Sequence, residues 1–300
     1  MLNTLINFIK SFSQPRVFGT GCLPEESLDL PQHELFGSAP DSKPSRDWTE
    51  FCPTFRSQGS SLMCTAYVGA SVVSILEKKE TGESIVFSPK ELFARSGGSL
   101  LGNRVSNVGN AIKVASVLEK DCPTQTFVSW GYPAYWQVMR EGKVSDKIIE
   151  KGKKYALKDM AVVRTDAASL KHALQDSPLS VILNAGRGYF NATAPASAGL
   201  GTDALHNVIL VSIEADGRKK VFDSLTYKQG FDGFHYLDAD YPIMNAFSFI
   251  DLPNNWREVQ TVQAPTYFLG DPKNGKIIPF SSKQAIDYQM FVNAGYTVLN

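Results

Sequence analysis

Residues 58–82 are QGSSLMCTAYVGASVVSILEKKETG, and this stretch decides the fold of the 300-residue chain. Apolar residues cover most of the helix circumference from Ala66 to Leu76, charges begin only at Glu77, and Gly82 is a stop signal. The pattern predicts a helix that is buried on nearly all sides and whose far end reaches solvent.

Cys64 lies at the first turn of this helix. Unpaired N–H groups and the helix dipole favour a thiolate at a helix N-terminus, and the thiolate is the reactive form of a nucleophilic cysteine. Gln58 lies six residues earlier, on the loop that leads into the helix. Its side-chain amide can join the Cys64 backbone N–H in holding an oxyanion. The stretch therefore indicates a candidate nucleophile with an oxyanion donor beside it.

His206 is the candidate base for that nucleophile. It precedes an apolar strand pattern, and Asp223 ends the next predicted strand. Neighbouring antiparallel strands can bring a carboxylate beside the imidazole, which would fix the tautomer of the ring and raise its basicity. We therefore predict that Cys64, His206 and Asp223 are catalytic.

The order of the elements predicts an α+β fold, because helix signals dominate the first half and strand signals the second. Ser88 and Pro89 mark the start of a further helix. Helices are also expected near residues 108–119, within 133–155 and at 168–176, and strands at 179–183, 207–213, 220–223, 234–237 and 245–250.

The chain resembles the papain family of cysteine peptidases over residues 46–250. The resemblance lies in Asp47-Trp48, Gln58-Gly59-Ser60, Cys64, a segment from Phe87 to Leu92, and His206 at the start of a strand. About 140 residues separate Cys64 from His206, within the range of roughly 130–150 seen in papain-like enzymes. Residues 175–181 and 221–224 resemble the segments that lie between and after these motifs in the family.

This resemblance implies a two-lobed fold, with a helical N-terminal half, an antiparallel β-sheet or barrel in the C-terminal half, and the active site in the cleft between them. It implies a cysteine endopeptidase that hydrolyses peptide bonds through a thioester on Cys64. The chain departs from the family pattern at four positions. Ser61 stands where the family has a cysteine, and Thr65 stands where it has an aromatic residue. Asp223 replaces the usual asparagine, and Leu225 replaces the tryptophan that shields the orienting residue.

Three segments are expected along the chain. Residues 1–45 form an extended lead-in, either a short plug or a docking segment. Residues 46–255 form the papain-like catalytic domain. Residues 256–300 form a small ββαβ appendage, in which Lys273-Asn274-Gly275 is a hairpin signal. The lead-in and the appendage are candidate contact regions for a protein partner.

The amino-acid composition limits the classes of binding partner that are expected. Lys and Arg number 30 and so do Asp and Glu, so a protein or peptide substrate is expected rather than nucleic acid. Neither a signal peptide nor an apolar run long enough for a membrane span is recognised, which favours the cytoplasm or a larger assembly. The four cysteines and four histidines lack metal-ligand spacing, and no cofactor is expected.

Several alternatives remain open at this level. The same three residues would serve a Cys-His-Asp amidase or transpeptidase, and the fold could also be an assembly component that binds peptides with reduced or no activity. His172 and His235 are interpreted as structural. Cys22, Cys52 and Cys122 are interpreted as small buried side chains, and a disulfide between Cys52 and Cys122 is the open alternative.

Overall fold

A computed structural model describes residues 21–25, 45–185, 189, 205–225 and 232–251, and the backbone of three short strands between 267 and 299. The chain divides into two compact units, residues 1–251 and residues 252–300, which are taken separately below. Residues 1–20 and 26–44, which make up most of the predicted lead-in, lie outside the described residues.

Six α-helices lie among the described residues of the first unit, most of them in its N-terminal half. Gly82 adopts a left-handed conformation with φ of 77° and ends the first helix, as predicted. The Ser88 side chain accepts a hydrogen bond from the Glu91 backbone N–H, with Pro89 at the first helical position. The helices are α1 (Cys64–Thr81), α2 (Pro89–Arg95), α3 (Val105–Ile112), α4 (Tyr132–Glu141), α5 (Asp146–Gly152) and α6 (Ala167–Ala173).

One six-stranded sheet forms the C-terminal half of this unit, in the order β1-β6-β2-β3-β4-β5, and every neighbouring pair is antiparallel. The α+β class and the segregation of helices from strands are therefore confirmed. The strands are β1 (Asp159–Val163), β2 (Leu179–Asn184), β3 (Leu205–Ile213), β4 (Lys219–Phe222), β5 (Phe234–Leu237) and β6 (Ile243–Ile250).

Helix α1 is the centre of the packing. It contacts α2 and α3 on the helical side and β2 and β3 on the sheet side. Most of its residues are buried from Cys64 to Glu77, as its apolar pattern predicted. Because the helix is enclosed by both halves, its N-terminus is fixed against the first residues of β3.

Three details differ from the sequence prediction. Helix α3 covers residues 105–112 instead of 108–119, because the chain at Val117 and Leu118 is extended and pairs with Phe87 and Ser88. The predicted helical stretch at 133–155 is divided between α4 and α5, with Gly142 ending α4. Strand β1 was not predicted; its five residues gain their partners only from β6, which is distant in the sequence.

The second unit contains strands β7 (Tyr267–Gly270), β8 (Ile277–Phe280) and β9 (Thr297–Leu299). They form an antiparallel sheet in the order β8-β7-β9. The hairpin turn predicted at 273–275 and the helix of the predicted ββαβ appendage lie outside the described residues. The proposed boundaries of the three segments stay a prediction.

Candidate active site

Cys64 is the first residue of α1 and is completely buried. The loop before it is held by Gly59, which has φ of 57° and forms a β-bridge with Phe127. A Cβ atom at residue 59 would lie 2.4 Å from the Phe127 carbonyl oxygen, so this close approach requires glycine. The loop and the helix together fix the position of the Cys64 sulfur.

His206 and Asp223 lie side by side on neighbouring strands. His206 is the second residue of β3, and Asp223 follows the last residue of β4. The antiparallel register pairs Ile209 with Phe222, which brings the imidazole beside the carboxylate. Nε2 of His206 lies 2.8 Å from Oδ1 of Asp223, and both side chains are buried.

The second ring nitrogen of His206, Nδ1, is not the one that contacts Asp223. Nε2 is occupied by Asp223, and Nδ1 has no hydrogen-bond partner of standard geometry among the described residues. The imidazole and the Cys64 sulfur nevertheless interact, since each group shifts the pKa of the other. The structure thus brings Cys64, His206 and Asp223 into one buried cluster.

The electrostatics of this pair favour separated charges. Burial raises the pKa of the Cys64 thiol, but other interactions lower it to about 6. These are hydrogen bonds from Cys22 and His206, the charge of His206, and a hydrogen bond from the Asn207 backbone N–H. Burial lowers the pKa of His206, but the charge and hydrogen bond of Asp223, followed by Cys64, raise it to about 10. Between these values the pair exists as thiolate and imidazolium.

Asp223 is held by three hydrogen bonds. Oδ1 accepts from His206 and, at 2.8 Å, from the Leu225 backbone N–H, while Oδ2 accepts from the Tyr189 hydroxyl. Burial raises the pKa of Asp223, but the charge and hydrogen bond of His206, the charge of His235 and the Tyr189 hydroxyl lower it below its ordinary value. Asp223 is therefore an ionised carboxylate in a dry environment.

Tyr189 packs against the imidazole of His206. Its ring meets the imidazoles of His206 and His235 edge to face, with centroids 5.7 and 5.1 Å away. Leu225 is itself buried and supplies its backbone N–H to Asp223. The tyrosine thus combines shielding of the imidazole with a direct hydrogen bond to its orienting carboxylate.

Gln58 is completely buried at the entrance to α1. Its Nε2 donates to the Ser61 carbonyl at 2.7 Å, and its Oε1 accepts from the Ser224 hydroxyl at 2.6 Å. Ser224 directly follows Asp223, so the glutamine is tied to the strand end that carries the carboxylate.

Cys22 lies against the reactive sulfur. Its side chain is buried and its thiol hydrogen-bonds to Cys64. Residue 22 also forms a parallel β-bridge with Asn103. Residue 22 of the lead-in therefore lies beside the reactive sulfur.

The described residues contain no group of three or more acidic, cysteine or histidine side chains placed to hold a metal ion. Within the same part of the chain, no helix has the length and apolar character needed to cross a membrane. Cys52 and Cys122 are free thiols that donate to the carbonyls of Trp48 and Glu141, each at 3.6 Å.

Solved structures of cysteine proteases share this fold. Xylellain from Xylella fastidiosa aligns with a TM-score of 0.66 and 16% identity, over 80% of this chain and 98% of that one. The Carica candamarcensis protease CMS1MS2 aligns at 0.55 and 18%, over 69% and 98%. Bromelain from Ananas comosus aligns at 0.54 and 14%, over 71% and 100%. No protein-family model and no curated protein sequence matches the chain.

The chain therefore has the papain-like fold. The resemblance suggested by the order of short motifs is confirmed at the level of the fold. The helical half, the antiparallel half and the helix that joins them correspond to the expected architecture.

Sequence reasoning missed three neighbours of the predicted site, namely Tyr189, Ser224 and Cys22. Ser224 was visible as the residue after Asp223, but nothing in the sequence connected it to Gln58. Tyr189 follows a strand by a few residues and carries no local pattern. His235 was interpreted as structural, yet its charge reaches Asp223.

Replacing Tyr189 with phenylalanine tests its contact with Asp223. Loss of the hydroxyl leaves Oδ2 buried without that donor, so the pKa of Asp223 should rise. We expect the rate of hydrolysis to fall about 10- to 150-fold, because a hydrogen bond to a charged group contributes roughly 1.5–3 kcal/mol. The more basic carboxylate raises the pKa of His206 further, so the alkaline limb of the pH–rate profile should move upward.

The matched control is Tyr241→Phe. The Tyr241 hydroxyl donates to the Asn184 carbonyl at 2.8 Å, and its ring contacts Tyr189, but it does not touch Asp223. A similar loss of stability with an unchanged pH profile is expected for this control. Identical profiles for the two variants would contradict the role given to Tyr189.

Proposed function

We propose that this protein is a papain-like cysteine endopeptidase, a hydrolase in which Cys64 is the nucleophile, His206 the general acid and base, and Asp223 the orienting residue. The observation that carries the proposal is the buried hydrogen bond between His206 Nε2 and Asp223 Oδ1, with the same imidazole lowering the pKa of the buried Cys64 thiol at the start of α1. The pKa values of about 6 and about 10 support a thiolate–imidazolium pair at neutral pH.

The reaction is acyl transfer to water. The Cys64 thiolate attacks the carbonyl carbon of the peptide bond, and the imidazolium of His206 donates its Nδ1 proton to the leaving amine. Neutral His206 then takes a proton from water, which attacks the thioester and releases the acid. Asp223 remains ionised throughout and keeps Nε2 of His206 protonated.

The oxyanion would be held by two donors, the Cys64 backbone N–H and the Nε2 group of Gln58. The backbone N–H belongs to the first turn of α1, where the helix dipole also favours negative charge. Ser224 and Ser61 fix the orientation of the glutamine amide. Such preorganised donors stabilise the transition state because they need no reorientation during the reaction.

The substrate class is a protein or peptide. Support comes from the fold, which the cysteine proteases above share, two of them solved in complex with the E64 inhibitor. The 1–45, 46–255 and 256–300 division stays part of this proposal, with the first and last segments as candidate partner contacts.

The direct test is hydrolysis of unfolded casein and of fluorogenic peptides by the full reduced chain. Release of new amino termini that requires Cys64 supports the proposal. Addition of an amine nucleophile separates the chemistries, because a transpeptidase yields the amide product and a hydrolase the free acid. Peptide binding without turnover would favour the inactive assembly component.

Gln58→Ala tests the oxyanion donor. We expect kcat to fall about 100- to 1000-fold with little change in KM, because the lost interaction is made mainly in the transition state. The measurement is steady-state hydrolysis of a single peptide.

Ser224→Ala is the control for that variant. It removes the hydroxyl that orients the Gln58 amide but leaves the amide donor in place. A loss of less than about tenfold is expected, since one neutral hydrogen bond contributes roughly 0.5–1.5 kcal/mol. If Gln58→Ala retained the wild-type kcat, the glutamine would have no oxyanion role.

A further inference from the structure

We propose that Cys22 is a redox-modification site that forms a reversible disulfide with Cys64 and so locks the reactive sulfur. The inference rests on the proposed function, because the lock matters only where Cys64 is the nucleophile. It is carried by the contact between the two sulfurs and by the way residues 21–25 are seated beside α1 and α3.

The contact itself is specific to one pair of the four cysteines. The Cys22 thiol hydrogen-bonds to the Cys64 sulfur, and both side chains are buried in the same apolar cluster. The thiols of Cys22, Cys52 and Cys122 each lie within hydrogen-bonding distance of a backbone carbonyl, that of Leu23, Trp48 and Glu141 respectively. Among these three described cysteines, Cys22 is the one that also interacts with the Cys64 sulfur. A thiol that already touches a thiolate is the natural partner for disulfide formation.

Backbone pairing holds Cys22 in place. The Leu23 N–H donates to the Asn103 carbonyl, and the Asn103 N–H donates to the Gly21 carbonyl, both at 2.9 Å. These two bonds flank Cys22 on either side. The backbone can therefore keep the Cys22 thiol directed at Cys64 while the disulfide forms and breaks.

Gly21 allows the lead-in to approach the loop before α1. It has φ of 63°, and a Cβ atom at this position would lie 2.3 Å from the Leu62 carbonyl oxygen. Any side chain would therefore collide with the backbone that leads to Cys64. Glycine at this residue is what lets its neighbour Cys22 reach the reactive sulfur.

Glu25 anchors the other end of the seated segment. Its Oε1 accepts from the backbone N–H groups of Val105 and Ser106, at 2.6 and 3.2 Å, and its Oε2 accepts from the Ser106 hydroxyl at 2.6 Å. A carboxylate at the N-terminus of α3 is also favoured by the helix dipole. Arg104 adds a bond from Nε to the Pro24 carbonyl at 2.9 Å.

The oxidant is a low-molecular-weight disulfide such as glutathione disulfide. The Cys64 thiolate attacks one of its sulfurs, forming a mixed disulfide and releasing one glutathione thiolate. The Cys22 sulfur then attacks the Cys64 sulfur and expels the second glutathione, while the Cys22 proton passes to a departing thiolate. Two cysteines are oxidised by two electrons, and one glutathione disulfide is reduced to two thiols.

Formation of the mixed disulfide on Cys64 makes the attack by Cys22 more favourable. The hydrogen bond to Cys64, burial and the charge of Cys64 together raise the pKa of the Cys22 thiol well above its ordinary value. When the Cys64 sulfur is in the mixed disulfide, its negative charge is gone and it no longer accepts that hydrogen bond as a thiolate. Cys22 then ionises more readily and can act as the resolving thiol.

The test uses the full reduced chain in buffers with fixed ratios of reduced to oxidised glutathione. After acid quenching, peptides are mapped without reduction, and hydrolysis is measured in parallel. We expect a linked peptide that contains Cys22 and Cys64, rising as the buffer becomes more oxidising and reversed by dithiothreitol. In Cys22→Ser, Cys64 should carry glutathione instead. Cys52→Ser is the matched control and should form the linked peptide like wild type.

Gly21→Ala keeps both cysteines and displaces their contact. At one glutathione ratio it should form the linked peptide about tenfold less, because the left-handed conformation and the clash oppose the seated state. Recovery of Cys64 only as free thiol or glutathione adduct in wild type, at every ratio, would overturn the inference. Hydrolysis by the reduced chain without any linked peptide refutes the lock alone, whereas a linked peptide without hydrolysis refutes the proposed function alone.

Discussion

Replacing Cys64 with alanine is expected to reduce peptide hydrolysis by at least about 10⁴-fold, to the background of the assay. The substitution removes the only atom that can form the thioester, while the oxyanion donors and His206 stay in place. The change in side-chain volume at the start of α1 is small. The free energy of unfolding should therefore change by less than about 2 kcal/mol.

The control for this variant is Cys52→Ala, which removes a half-buried thiol that donates to the Trp48 carbonyl and not to the site. Full activity is expected for it. Circular dichroism and thermal unfolding of both variants separate lost chemistry from lost folding. Wild-type turnover by a folded Cys64→Ala protein would mean that another residue is the nucleophile.

His206→Ala is expected to produce the second-largest loss, about 10³-fold or more in kcat/KM. The imidazole both favours the Cys64 thiolate, through its charge and hydrogen bond, and protonates the leaving amine. Without it, burial dominates and the pKa of the thiol should rise far above 6. Asp223 also loses its charged partner, so its pKa should rise.

Two readouts make this variant informative. Hydrolysis measures the loss of the acid and base, and the pH dependence of Cys64 alkylation measures the loss of thiolate. His172→Ala on α6 is the matched control, because it removes an imidazole far from the predicted site in sequence and is expected to leave both unchanged. If a folded His206→Ala protein showed the same pH dependence of Cys64 alkylation as wild type, the thiolate–imidazolium pair would be contradicted.

The pH range of activity follows from the same two groups. The thiolate forms as pH rises through about 6, the pKa of Cys64, and the imidazolium is lost as pH rises through about 10, the pKa of His206. The reactive ion pair is therefore present between these limits. A pH–rate profile with both limbs measures them.

The central helix and the pairing of β3 with β4 were predictable, because apolar periodicity and β-branched runs are local signals. The meeting of Cys64, Gln58, His206 and Asp223 was predicted from their order along the chain, and the structure places all four together. Their chemical roles remain proposals.

The surroundings of these residues were not predictable, because they depend on contacts between distant segments. Tyr189 reaches Asp223 across 34 positions, and Ser224 reaches Gln58 across 166. Cys22 lies in a segment rich in glycine, proline and serine, where a local pattern indicates only irregular chain. Strand β1 was missed for the same reason, since its partner β6 comes far later in the sequence.

The most direct test of the central claim is the pH dependence of Cys64 alkylation in the full reduced chain, followed by peptide mapping from pH 4 to pH 9. The midpoint is the readout, because Cys64 is completely buried and its burial slows the reaction at every pH. The account predicts a midpoint near 6 in wild type and a strong upward shift in His206→Ala. A wild-type midpoint near the free-thiol value of about 8.5, unchanged by His206→Ala, would contradict the thiolate–imidazolium pair.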